Sequence, residues 1–349
     1  MPGLCARAVY CRLIAVPPPA APSRERPSAP SIANHPVRLM LFKRVLITGA
    51  NGLVGQELVQ LMSRYPEYDV LATARDDAPR YGNASCGYAP LDVTSPQEIR
   101  HLFQDFAPSV VINCAAMTQV DQCEDDKETC WRVNVEAVEH LSRQCLATGA
   151  RLVQVSTDFI FDGEDGPYRE DARPHPLSFY GKSKLAAENA VRGAGLDRWA
   201  IARTVLVYGA GNGLTRSNFA LWVIGKLTRG EPIHVVTDQW RTPTYAPDLA
   251  AGLERIARYD KGGVFHLSGR EYLSVHTFAR TIAEAFDLDA SLVHPTDGSR
   301  FQQTAPRPPR TGFIILKAET ELGYRPRSMK DALRHLGHRL GLTVTDFGL

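Results

Sequence analysis

At 349 residues, 44% of them hydrophobic and 22% charged, the chain has the make-up of a water-soluble globular protein with room for one large core or two smaller ones. A formal net charge of +2 gives no electrostatic footing to nucleic acid or an anionic membrane as partner. No apolar run reaches the roughly 18 residues that a membrane-spanning helix requires.

Residues 1–39 carry a Pro/Ala/Ser/Arg tract, Pro17 to Pro30, with too little apolar surface for a core. They are expected to form a disordered N-terminal extension, with Met40 as the natural start. From Lys43 strands and helices alternate. Val45 to Thr48, Asp69 to Thr73, Val110 to Asn113, Arg151 to Ser156 and Trp199 to Arg203 read as apolar strands, and a further short one is expected to end at Asp92-Val93. Helices are expected over 53–63, from Thr94 toward Phe106, across the long stretch 121–148, and over 180–192. Repeated strand–helix units with near-continuous apolar strands predict an α/β fold, a doubly wound parallel Rossmann-type sheet covered on both faces. After Gly209 the rhythm breaks: a helix near 217–229, a strand over 263–267, a helix over 277–286 and a Pro/Arg-rich loop over 294–312 follow. The expected division is a nucleotide-binding domain over 40–210, to which 241–268 returns, and a smaller C-terminal substrate lobe within 211–349. Seven cysteines, an odd number without CxxC spacing, read as reduced thiols and place the protein in the cytoplasm. That reading outweighs a metal site built from Cys123, Cys130 and a histidine.

The first strand runs into Thr48-Gly49-Ala-Asn51-Gly52-Leu53-Val54-Gly55. Glycines there permit a tight turn, close approach of backbone to a pyrophosphate and close helix–strand packing, and the following helix aims free N–H groups at the phosphates. Some twenty residues on, where such folds often place an acid for the adenosine ribose, stands Arg75. An arginine suits a 2′-phosphate and favours NADPH, while Asp76 beside it keeps NADH open. Asp92 and Val93 are placed to hold the adenine edge. Asn113-Cys-Ala115-Ala116 ends the strand under the middle of the cofactor, and Thr118, Val120 and Asp121 follow at the mouth of the crevice.

Tyr180 and Lys184 share one helix face, one turn apart. An ammonium nearby is expected to pull the phenol's pKa down from roughly 10 toward the working range, making the pair a proton donor to a carbonyl oxygen. The hydride that completes such chemistry comes only from a nicotinamide. The Thr157 hydroxyl, ending the preceding strand, is expected to hydrogen-bond the same substrate oxygen. Asn134, inside the long helical stretch, is either part of a proton relay to Lys184 or an ordinary polar helix residue.

TGANGLVG (48–55), NCAA (113–116), STDFIFDG (156–163) and YGKSK (180–184) together resemble the extended short-chain dehydrogenases/reductases. AAMTQVDQCE (115–124), PYREDARPHPLSFYGKSKLAAE (167–188), DQWRTPTYAPDLA (238–250) and APRPPRTG (305–312) are similar to the dTDP-4-dehydrorhamnose reductase branch. That resemblance implies Thr157, Tyr180 and Lys184 as catalytic residues. It implies cofactor contacts at the glycine loop, Asp92, Val93, Ala115, Ala116, Thr118, Tyr180 and Lys184, and sugar contacts at Thr118, Val120, Asp121, Thr157 and Arg307. The reaction it implies is NADPH reduction of the 4-keto group of a dTDP-linked 6-deoxy sugar, giving dTDP-L-rhamnose, with Mg²⁺ dependence and a homodimer left open. Two departures bear on the sugar: Leu206 stands where those reductases carry a tryptophan, and Arg307-Pro-Pro-Arg310-Thr lacks their asparagine. The same segments are similar to the regulatory β subunit of methionine adenosyltransferase, which offers a non-catalytic nucleotide-binding alternative. Phe159 replaces the glutamate of the related dehydratases, which argues against dehydration and leaves epimerisation as a minor option.

Overall fold

The computed structural model describes residues 42–215, 217–300 and 304–345, so the expectations for residues 1–39 lie outside the described part. Seven parallel strands form the central sheet: β1 (Lys43–Thr48), β2 (Tyr68–Ala74), β3 (Gly87–Pro90), β4 (Val110–Asn113), β5 (Arg151–Thr157), β6 (Trp199–Thr204) and β7 (Gly263–His266). Their order across the sheet is β7-β6-β5-β4-β1-β2-β3, with the reversal between β1 and β4. Successive side chains point to opposite faces, so the apolar runs cover both. Val45, Ile47, Val110, Ile112 and Val153 join one core; Leu46, Val111, Leu152 and Ile201 join the other.

Helices α1 (Leu53–Met62), α2 (Pro96–Phe106), α3 (Val120–Asp125), α4 (Lys127–Trp131), α5 (Ala137–Thr148) and α6 (Phe179–Gly193) follow their strands in turn. The stretch expected as one helix over 121–148 is broken twice. Asp126 leaves helical geometry and caps α4 with its own side chain, accepting from Thr129 N–H at 3.0 Å. A π-helical segment, Arg132–Glu136, then precedes α5; such bulges recur at functional sites.

Beyond β6 a second core gathers around α7 (Phe219–Thr228), α9 (Val275–Ala285) and α11 (Met329–Leu340). The loop expected over 294–312 contains a strand, Val293–Thr296, paired in parallel with Ile233–Val236. Helix α8 (Ala246–Arg258) carries Leu249, Leu253 and Ile256 into the sheet core. The segment around α10 (Leu316–Leu322) joins that core as well, through Phe313, Ile315, Ala318 and Tyr324. Among the described residues no helix is long and apolar enough to cross a membrane.

Candidate active site

The glycine loop crosses the carboxyl ends of β1 and β4, where open α/β sheets bind ligands. Gly49 has φ +67°, and a Cβ there would lie 2.7 Å from the backbone nitrogen of Ala115. A Cβ on Gly55 would meet the Gly49 carbonyl at 2.3 Å, so neither position accepts a side chain. Gly52 caps α1 without a side-chain hydrogen bond, and the first turn carries no acid. That uncapped helix end and the cleared backbone suit a dinucleotide's pyrophosphate. Asn51 braces the loop from the far side, donating to Asp76 at 2.7 Å and accepting from Arg80 N–H at 2.9 Å. Arg75 is exposed just past β2, and Arg80 pairs with Asp76 at 2.7 Å.

Beneath the crevice a ladder of buried amides and hydroxyls ties the strand ends together. Thr48 donates to Asn113 at 2.5 Å, and Asn113 donates to Gln154 at 2.8 Å, each pair in register across neighbouring strands. Gln154 and Lys184 both donate to the Val155 carbonyl at 2.8 Å. This ladder escapes a reading of the sequence, because it depends on strand register.

Helix α6 presents Tyr180 and Lys184 toward Thr157. Ser178 caps its N-terminus, accepting from Gly181 N–H at 3.1 Å. A Cβ on Gly181 would stand 2.1 Å from the Phe159 carbonyl, so only glycine lets the helix approach this closely. The Thr157 side chain lies near the Tyr180 phenol, and Phe159 packs edge-on to the ring at 5.9 Å. Burial holds the Tyr180 phenol above the ordinary tyrosine range, with Thr157 opposing it and Asp158 adding to it. The lowering expected from Lys184 does not prevail, and that expectation is corrected: burial raises the phenol's pKa. The lysine responds instead, its pKa brought down to about 8 by burial, against the pull of Glu188.

Asn134 makes no direct hydrogen bond to Lys184. Its amide clamps the Met117 backbone on both sides, at 2.8 and 3.0 Å, and donates to Ser183 at 3.0 Å. The residue secures the loop after β4 against α6. Asp92 accepts from the Thr94 N–H and hydroxyl at 2.9 and 2.8 Å, and Val93 is buried in the sheet's second core. Ala115 and Ala116 are half-buried and Thr118 is exposed beyond them.

The segment 305–312 straps across this region. Arg307 meets Asp121 with two hydrogen bonds, at 2.9 and 2.6 Å, so two residues expected to touch substrate touch one another. Arg241, almost fully buried, donates to the carbonyls of Pro308 and Pro309 at 2.7 and 3.1 Å and lies 3.7 Å from Asp158. Asp158 in turn accepts from Thr157 at 3.1 Å and from Thr311. Leu206 has φ +38° and a half-buried side chain that packs against both the sheet core and the smaller one. Among the described residues no three His, Cys, Asp or Glu side chains converge as metal ligands, and Cys86, Cys114, Cys123, Cys130 and Cys145 are free thiols.

A doubly wound sheet, a glycine loop at its switch point and a Thr/Tyr/Lys set beside that loop define a nicotinamide-dependent oxidoreductase of the short-chain dehydrogenase/reductase type. Residues 43–341 match the RmlD substrate binding domain family, and the chain belongs to that family. It is 34% identical over 271 residues to a dTDP-4-dehydrorhamnose reductase of Streptomyces griseus, covering 76% of this chain and 83% of that protein. It is also 31% identical over 264 residues to the methionine adenosyltransferase 2 subunit beta of Bos taurus, covering 74% of this chain and 76% of that protein. The crystal structure of a dTDP-4-dehydrorhamnose reductase from Bacillus anthracis in complex with NADP superposes with a TM-score of 0.75 at 28% identity, covering 85% of this chain and 99% of that one.

Proposed function

We propose that the protein reduces the 4-keto group of a dTDP-linked 6-deoxy sugar with NADPH, the reaction that yields dTDP-L-rhamnose. The observation that carries this reading is Thr157 beside Tyr180, with Lys184 one helical turn along α6, next to a glycine-cleared backbone cradle. The exposed guanidinium of Arg75 at the end of β2 supports a 2′-phosphate and hence NADPH over NADH. Ala115 and Ala116 would hold the reduced nicotinamide, which would supply the hydride for the ketone carbon. Tyr180 passes its proton to the ketone oxygen, Thr157 orients that oxygen, and Lys184 supplies the positive charge that steadies the phenolate left behind. Purified protein is expected to oxidise NADPH with dTDP-4-keto-6-deoxy sugar. Tyr180→Phe is expected to lose at least about a hundredfold in turnover while still quenching NADPH fluorescence on binding. Full turnover in that variant rejects the mechanism.

A second reading, a nucleotide-loaded regulatory subunit, draws support from the identity to the bovine β subunit and from the Arg307–Asp121 pair that engages both side chains meant for a sugar. Co-purification with a synthetase, together with no turnover on any keto sugar, selects it.

A further inference from the structure

Two acids and two arginines gather just past β2: Arg75, Asp76, Asp77 and Arg80. In a doubly wound fold this is the ground that meets the adenosine ribose. A free carboxylate there accepts from the 2′-hydroxyl of NADH, and an arginine answers the 2′-phosphate of NADPH. Arg75 alone does not decide between the two, because a bare carboxylate one residue away opposes it. The choice turns on what Asp76 is already bonded to. Asp77 is exposed, where water and salt screen its charge.

Asp76 is held from three sides. Its Oδ2 accepts from the Asn51 amide of the glycine loop at 2.7 Å, and its Oδ1 accepts from Arg80 Nη2 at 2.7 Å. Its backbone carbonyl accepts from the Tyr88 hydroxyl, on β3, at 2.5 Å. Asn51 and then Arg80 hold the carboxyl below the usual carboxylate range, so it stays an anion, and a paired one. Arg80 is fixed in turn. Its backbone N–H donates to Asn51 Oδ1 at 2.9 Å, and its Nη1 donates to the Gly213 carbonyl at 2.8 Å. Both side chains of the pair stay partly exposed, and ion pairs of that kind add little to folding stability. The place of this one, between the glycine loop and the end of β2, points to a use in binding.

We propose that Arg80 is a specificity-determining residue for the cofactor: with Asn51 it engages both oxygens of Asp76, withdrawing the acid that would select NADH and leaving Arg75 to meet the 2′-phosphate of NADPH. The proposal deepens the NADPH reading given above and rests on it. The 2′-phosphate carries nearly two negative charges near pH 7, where NADH has a neutral hydroxyl. Without Arg80 the Asp76 charge is uncompensated, and the penalty falls on NADPH alone. The Gly213 contact that is lost with it bears on both cofactors, so it cancels from the ratio of their affinities. The backbone bond from residue 80 to Asn51 survives any of the substitutions below.

The test is a titration of the full-length protein with NADPH and, separately, with NADH, each followed by nicotinamide fluorescence in the absence of sugar. In Arg80→Met the preference for NADPH, read as the ratio of the two Kd values, is expected to fall by on the order of tenfold. Adding Asp76→Asn is expected to return most of that preference, because the opposing charge leaves with its partner. Arg80→Lys, which keeps a cation within reach of Asp76, is expected to retain most of the parental ratio. An unmoved ratio in Arg80→Met, including equal weakening of both cofactors, overturns the proposal. A ratio that stays low in Arg80→Met/Asp76→Asn overturns it too, by making Arg80 a direct ligand of the phosphate. A parent protein that binds NADH more tightly than NADPH rejects the cofactor reading of Arg75 instead, and the change from parent to Arg80→Met still decides the role of Arg80.

Discussion

Single residues in this protein act through what they exclude as much as through what they touch. Gly181 is the clearest case, since the atom it lacks would collide with the Phe159 carbonyl and push α6 outward. Tyr180 and Lys184 ride on that helix, so the glycine sets the distance between phenol and Thr157. Gly181→Ala is expected to lower stability by about 1–3 kcal/mol, read from urea unfolding, and to lower kcat more than cofactor affinity. A variant with parental kcat would show that the helix absorbs the shift. Tyr180 with Lys184, and the glycine loop, are legible from residue type and spacing alone, because each uses neighbours within one turn or one loop, whereas Thr157 lies on the strand before α6. Arg307 with Asp121, 186 residues apart, and Arg241 with the strap are not, because only the folded chain brings them together. Even the pKa argument drawn from Tyr180 and Lys184 needed the fold, since burial acts on both groups more strongly than either acts on the other.

Among the elements, the sheet was predictable and the second lobe much less so. Near-continuous apolar strands such as Val110–Asn113 declare themselves, and Ser95 with Pro96 marks the start of α2 in the expected way. Pro247 occupies the first turn of α8, where its missing N–H is harmless. Ser328 and Asp331 cap α11 at its start and Gly341 at its end, signals that were present but stood in a charged, weakly apolar stretch. Val293–Thr296 was hidden by Pro295 and by a strand partner some sixty residues away. The strap over 305–312 depends most on a single side chain. Arg241→Met leaves the Pro308 carbonyl and the Asp158 carboxylate without their cationic partner. Such a buried loss is expected to cost on the order of 3 kcal/mol. Proteolysis within the strap should quicken, and KM for the sugar should rise more than the Kd for NADPH. Equal effects on both ligands would place the strap's role outside the sugar site.

For the whole molecule, the active-site lysine is a standing destabilisation. Its folded pKa of about 8 lies below the ordinary 10.5, so the unfolded chain holds a proton that the folded one has released between those values. Stability contributed through this group therefore rises with pH across that window, and the penalty, on the order of 3 kcal/mol, is fully present below pH 8. Without cofactor, Lys184→Met is expected to melt a few degrees above the parent near pH 7, with the gap closing toward pH 10.5. Calorimetry at the two pH values decides it; a gap that widens with pH contradicts the assignment.

The guanidinium of Arg241 grips the strap by its main-chain oxygens, at Pro308 and Pro309, and not by any side chain. The path of that segment is thereby decoupled from most of its lettering. Pro306, Pro309 and Arg310 are exposed along it, so a change of side chain at any of the three leaves that grip in place.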